Sequence, residues 1–311
     1  MRVSIAVPIY NEESVVQELL DRTFGVLDAI PGGPHEIVAV DDGSSDGTFA
    51  LLEQACARDP RLVAIRLSRN FGHQAALRAA LDHVTGDVVI AMDGDLQDPP
   101  EAIPRLIEEY QGGHDVVYAI RKERKEGVLL KACYHLFYRM ITLVANVQLP
   151  IGAGDFGLMS RRVVDCIRGM QERQPYLRGL RAWVGFSQKG VPVERGRRHS
   201  GESKYSWGKL LRLAFDGIFS FSLVPIRLAI LVGSLAILGS LGYTGYAIAV
   251  KLANDQTPKG FTALIVAITF LAGVQLLFLG IIGEYVGRIY EEVKHRPLYV
   301  VRRILGGPGD G

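Results

Sequence analysis

The chain of 311 residues carries 35 basic and 33 acidic side chains, a formal net charge of +2, and 48% hydrophobic residues. So even a charge balance excludes a general polyanion binder such as a nucleic-acid protein, and the length admits one soluble domain of roughly 200 residues plus a further element. Cys56, Cys133 and Cys166 are odd in number and widely spaced, which excludes a disulfide framework and a paired zinc-ligand pattern.

In chain order, residues 3–8, 36–40, 62–67 and 87–92 are short, apolar and rich in β-branched side chains, and predict buried strands. Helical periodicity falls between them over residues 12–30, 47–58 and 71–84, with Asp46 as the expected N-cap of the second. A fifth strand is expected at 115–119. Residues 1–10 read as a strand rather than a signal peptide, so folding is expected to begin in the cytosol. Strands alternating with helices predict an α/β fold with a mostly parallel sheet, helices on both faces and ligands at the carboxyl ends of the strands. The polar motifs sit at those ends: Tyr10-Asn11-Glu12, Asp41-Asp42-Gly43-Ser44 and Asp93-Gly94-Asp95.

Two uncharged runs, residues 228–250 and 260–283, each exceed the roughly 20 residues a helix needs to cross about 30 Å of hydrocarbon. The short polar linker between them, with Pro258, predicts an antiparallel transmembrane hairpin. Basic residues crowd both outer flanks while only Lys251 and Lys259 edge the loop, so the positive-inside rule puts the large N-terminal part in the cytoplasm, on the inner membrane. A basic stripe in 128–147 (Lys131, His135, Arg139) and an apolar face in 206–222 predict two helices lying on the membrane surface. The expected division is a soluble domain at 1–205, an interface helix at 206–222, two spans within 223–288 and a cytoplasmic tail at 289–311, whose glycine-rich end is expected to fray. Glu284 and Arg288, four residues apart, are expected to pair.

Two carboxylates at i and i+2 after a strand, Asp93 and Asp95, can turn toward a divalent cation, because hard ions prefer oxygen ligands. Gln97 adds an oxygen, and Pro99-Pro100 stiffens the exit of the loop. His73, beside Gly72, reads as a helix-start or packing residue rather than a ligand.

Val7-Pro8-Ile9-Tyr10-Asn11-Glu12, Val40-Asp41-Asp42-Gly43-Ser44, Asn70-Phe71-Gly72 and residues 93–100 occur in an order and spacing that resembles the family 2 glycosyltransferases of the GT-A fold. Gly154-Asp155-Phe156, the run from Arg198 to Tyr205 and the two-span tail are similar to the polyprenyl-phosphate glycosyltransferases of that family, including dolichol-phosphate mannosyltransferases and bactoprenol glucosyltransferases. The resemblance implies a Rossmann-like GT-A domain and an inverting transfer of one hexose, from UDP-glucose or a similar donor, to undecaprenyl or dolichyl phosphate. It implies Pro8, Tyr10, Glu12 and Asp42 in the nucleotide pocket, and Asp93, Asp95 and Gln97 holding Mg2+ or Mn2+ with the donor diphosphate. Asp155 becomes a catalytic or acceptor-orienting candidate. Arg121, Arg124 and Arg139 are the expected cradle for the acceptor phosphate, and Arg198 and Lys204 are expected to close over the donor. Relatives also suggest a homo-oligomer. The sequence departs from the pattern at Gly157, where Gly-Asp-Phe-Arg-Leu would carry arginine, so a cation is expected to be missing near Asp155.

Two rivals share the early motifs. A processive polysaccharide synthase would carry Gln-X-X-Arg-Trp, which Leu180-Arg181-Ala182-Trp183 does not supply, and more spans than two. A catalytically silent nucleotide-sugar-binding scaffold would not need the acidic cluster.

Overall fold

The computed structural model describes residues 1–121, 153–170, 172, 176–194, 224–254 and 260–306. They fall into two compact units, one formed by the N-terminal part together with residues 296–311, the other built mainly from residues 205–295.

The first unit is an eight-stranded sheet in the order β7-β5-β6-β4-β1-β2-β3-β8. In chain order its described elements are β1 Val3–Ile9, α1 Val16–Asp28, β2 Glu36–Asp41, α2 Thr48–Arg58, β3 Leu62–Leu67, α3 His73–His83 and β4 Val88–Ala91. They continue with a short 3-10 turn and α4 Ile103–Gln111, β5 Val116–Arg121, β6 Ala153–Ser160, α5 Arg161–Gly169, α6 Leu177–Trp183, β7 Gln188–Val193 and β8 Val301–Leu305. β1 lies at the centre and pairs in parallel with β2 and β4, as the alternating pattern predicts.

Strand alternation divides the core. Val3, Ile5, Val7 and Ile9 pack with Leu19, Leu20 and Leu52 of α1 and α2 on one face. Ala6, Val38, Val40 and Ile65 pack with Leu77, Ala80 and Leu81 of α3 and Val163, Val164 and Ile167 of α5 on the other. Successive strand side chains point to opposite faces, so a central strand covered by helices on both sides reads as a continuous apolar run.

Local capping chemistry follows the sequence with small shifts. Asp46 accepts the Thr48 amide at 3.1 Å, serving the first turn of α2 although Gly47 occupies the cap position. Arg78 of α3 donates to the carbonyls of Ile167, Arg168 and Met170 at the end of α5. Arg168 of α5 in turn donates to those of Leu81 and Val84 at the end of α3. Each helix thus closes the other's carboxyl terminus, where free carbonyls and the negative end of the helix dipole favour a cation.

β8 is an addition that the expectation of a cytoplasmic tail did not contain. It pairs antiparallel with β3, from Ala64 opposite Leu305 to Leu67 opposite Val301. Ser68 donates its amide to the Val300 carbonyl at 2.8 Å, Tyr299 donates to Asp82 at 2.9 Å, and Arg303 pairs with Glu53 at 2.9 Å.

The second unit contains two helices, α7 Val224–Asn254 and α8 Phe261–Val293, of 31 and 33 residues. Both are long and apolar enough to cross a membrane. Arg288 donates to Glu284 at 2.9 Å, the expected pair.

Candidate active site

Parallel strands β1, β2, β3 and β4 all end on one edge of the sheet, and so bring together loops far apart in sequence. Asn11, at φ +54°, donates its amide to Ser44 Oγ and accepts the Ser45 amide through Oδ1, both at 2.9 Å. These bonds lock the loop after β1 to the loop after β2. Within the second loop Gly43 has φ +71°, and a Cβ there would lie 2.6 Å from the Arg69 carbonyl carbon, so only glycine fits.

Asp42 is buried and uses both oxygens on the next loop, accepting the amides of Phe71 at 2.7 Å and Gly72 at 2.9 Å. Burial raises its pKa more than these two bonds lower it. Asp42 therefore sets where α3 begins, and α3 begins at His73.

The strand β6 runs antiparallel to β4, with Ala91 opposite Gly157. Asp93 lies two residues beyond Ala91 and Asp155 two before Gly157, so the two carboxylates come together just past the end of that pairing. His73 Nε2 lies between them, 3.5 Å from Asp93 Oδ1 and 3.8 Å from Asp155 Oδ2. On the far side of Asp155, Arg178 of α6 donates through Nε to Oδ1 at 2.8 Å and through Nη2 to Oδ2 at 2.9 Å. The start of α6 is tied to α3 by the Leu177 amide, which donates to Gln74 Oε1 at 3.1 Å.

The electrostatics separate the two carboxylates. Burial pushes the Asp93 pKa up to about 6, reinforced by Asp155, Asp98 and Asp95 and only partly offset by His73. Burial also acts on Asp155, but His73 and the Arg178 fork outweigh it and hold this carboxyl far below the usual range. The His73 imidazole is raised: burial lowers it, but Asp155 and Asp93 together win.

His73, Asp93 and Asp155 place their ligand atoms within 4.8 Å of one another, the group among the described residues able to hold a metal ion by histidine and carboxylate ligands. Asp95 is half-buried and accepts the Gln97 amide at 3.0 Å, and Gln97 is buried in the same loop. Between them Leu96 is held at φ +55°, a conformation that costs an ordinary side chain roughly 1–2 kcal/mol. Its burial anchors that strain. Burial and the like charges converging on Asp93 raise its pKa, a repulsion that a bound cation would relieve, so this donor set fits a divalent ion.

Pro8 is buried at the end of β1, Tyr10 is exposed and Glu12 half-buried on the loop that follows. Arg121 ends β5. The side chain of Arg121, the residues Arg124, Arg139, Arg198 and Lys204, and the helices expected at 128–147 and 206–222 lie outside the described residues.

The expected loss of a cation at Gly157 is corrected by the fold: Arg178 supplies one to Asp155 from α6. The sequence signal was present in Leu177-Arg178-Gly179-Leu180-Arg181, which sets two arginines one turn apart on a helix, but the partner carboxylate lies 23 residues away. His73 does start a helix as expected, but the preference for that over a ligand role is corrected: its ring stands within 4.8 Å of the Asp93 and Asp155 oxygens, in a group able to hold a metal ion. Its place at the carboxyl edge of the sheet, next to a glycine turn, was the available hint.

Residues 4–168 match the model of glycosyl transferase family 2, and residues 224–289 that of the GtrB C-terminal hairpin. The chain is 42% identical to an uncharacterized glycosyltransferase, YkcC, of Bacillus subtilis over 98% of this chain and 95% of that one. It is 37% identical to a prophage bactoprenol glucosyl transferase homolog of Escherichia coli, over 98% and 99% of the two chains. It is 39% identical to the bactoprenol glucosyl transferase of Shigella phage SfII, over 97% and 98%. With a mostly parallel sheet carrying an acidic cluster at its carboxyl edge and these matches along its length, the chain belongs to glycosyl transferase family 2 and is a glycosyltransferase of the GT-A fold that ends in a hairpin of the GtrB type.

Proposed function

We propose that the protein transfers a single glucosyl unit, with inversion, from UDP-glucose to the phosphate of a polyprenol such as bactoprenol. The observation that carries this reading is the meeting of His73, Asp93 and Asp155, whose ligand atoms lie within 4.8 Å of one another, in a chain that aligns over 97% of its length with a bactoprenol glucosyl transferase. Asp93 and Asp95, with Gln97 or His73, would hold Mg2+ or Mn2+, and a bound divalent cation would supply Lewis-acid stabilisation for the charge that develops on a departing diphosphate.

Pro8, Tyr10, Glu12 and Asp42 line the nucleotide pocket, and Arg198 and Lys204 close over the diphosphate. Arg121, Arg124 and Arg139 cradle the acceptor phosphate, so two anionic partners can approach despite their repulsion. A phosphate monoester, with a second pKa near 6, is largely ionised at neutral pH and needs no strong base. Asp155 suits an orienting role better than a basic one, because both its oxygens are engaged by Arg178. In-line attack from the face opposite the leaving diphosphate accounts for inversion.

The hairpin α7–α8 would anchor the enzyme in the inner membrane, with residues 1–205 and 289–311 on the cytoplasmic side where donor and lipid phosphate meet. Detergent-purified protein mixed with undecaprenyl phosphate, labelled UDP-glucose and Mg2+ or Mn2+ should yield a chloroform-soluble labelled lipid. No such product with any common nucleotide sugar rejects the reading.

A further inference from the structure

At Gly157 the sheet is too tight for a side chain. A Cβ there would lie 2.6 Å from the Val117 carbonyl oxygen and 3.0 Å from Tyr118 Cα, both backbone atoms of β5, and 3.3 Å from Arg181 Nη1. The last neighbour is the informative one. A guanidinium already lies against the position of a Cβ at 157, and it comes from α6 rather than from β6.

Arg181 is 2% exposed and is among the largest fully buried side chains of the protein. Its Nη2 donates to the Gly154 carbonyl at 3.1 Å, and its guanidinium carbon lies 5.2 Å from the centre of the Tyr118 ring. Among the described residues no carboxylate forms an ion pair with it. Burial draws its pKa down to about 10, and Asp155 is the strongest influence in the opposite direction.

A fully buried guanidinium is costly to desolvate, and a well-packed apolar residue in its place is often neutral or stabilising. Such a charge is a poor way to fill a core. Arg178 and Arg181 stand three positions apart on α6, so both reach the same short stretch of β6, one forking onto Asp155 and the other onto the peptide just before it.

We propose that Arg181 is a positioning residue for glycosyl transfer: Gly157 and Arg181 are a swapped pair, in which the positive charge that the Gly-Asp-Phe-Arg-Leu pattern places on β6 enters the same space from α6. There it fixes the Gly154–Asp155 backbone and, with Arg178, keeps the ionised Asp155 facing His73 and Asp93. The inference rests on the reading of the site as a glycosyl-transfer centre.

Arg181→Met removes the charge and keeps the volume. The expected result is an unfolding temperature equal to or above that of the parent protein, with kcat lowered about tenfold or more and the donor KM little changed. Arg181→Lys should recover part of the lost turnover. A residue that only packs would move stability and leave kcat alone, so parental kcat in Arg181→Met overturns the proposal. If that variant does not fold, Arg181→Gln, which can still donate to Gly154, replaces it under the same criterion. If the parent protein makes no glycolipid, the functional reading fails instead. The swapped pair is then decided by the crystal structure of the variant, in which Asp155 should leave the two-point Arg178 fork; an undisturbed fork overturns it.

Discussion

Arg178 and Asp155 meet in a two-point fork, Nε on Oδ1 at 2.8 Å and Nη2 on Oδ2 at 2.9 Å. A planar guanidinium matches a carboxylate in this way and an ammonium does not. Arg178→Lys should therefore keep the charge, lose the orientation and reduce kcat/KM by roughly tenfold to a hundredfold, while Arg178→Ala should fall further. Added guanidinium should restore part of the activity of the alanine variant only. Full activity in the lysine variant would show that charge alone suffices.

The acidic cluster ties stability to pH, and the proposed cation role ties it to metal as well. Asp93 has a folded-state pKa of about 6, above its ordinary value, so its contribution to stability is present below the unfolded pKa and lost as pH rises through about 6. Above that pH the metal-free protein carries a repulsive carboxylate cluster. Mn2+ or Mg2+ should raise the unfolding temperature more at pH 7.5 than at pH 5, and Asp93→Asn should raise it without metal and erase the difference. Thermal melts across pH with and without metal read both effects; equal metal shifts at the two pH values would contradict the assignment.

Asp95→Asn should abolish glucosyl transfer while leaving the circular dichroism spectrum unchanged, because the carboxylate is half-buried on a loop and not within the hydrophobic core. Undiminished turnover would remove Asp95 from the cation site.

Asp42 has an architectural duty separate from any contact with the nucleotide. Asp42→Ala strips the acceptors from the half-buried Phe71 and Gly72 amides, and each lost hydrogen bond costs about 0.5–1.5 kcal/mol. Denaturant unfolding should report a loss of that order. The start of α3 should loosen with it, seen as faster hydrogen exchange at Phe71, Gly72 and His73.

Arg78 offers a contrast, since it lies between α3 and α5 rather than in the site. Arg78→Ala leaves the carbonyls of Ile167, Arg168 and Met170 without their donor and should destabilise by roughly 2–4 kcal/mol. Turnover per folded molecule should stay within about twofold of the parent value. A large loss of kcat at full folding would mean that the α3–α5 packing reaches the site.

Strands β1 to β4, helices α1 to α3 and the two apolar C-terminal helices were legible because each is written in a local period: two residues for a strand, 3.6 for a helix, an unbroken apolar run for a span. The loops carrying Tyr10, Asp42, Asp93 and Asp95 were legible for the same reason, since the carboxyl ends of parallel strands must share one edge. Local periodicity is silent on which distant segments meet. The antiparallel pairing of β4 with β6 that brings Asp155 near Asp93, the return of residues 301–305 as an edge strand on β3, and the arrival of Arg178 and Arg181 from α6 all depend on contacts across long stretches of chain. The chain therefore carries its elements and their ligand-facing ends in short-range pattern. The partner of each charge inside the site was decided by tertiary packing, because a buried carboxylate or guanidinium is satisfied by whatever the fold brings within hydrogen-bond reach.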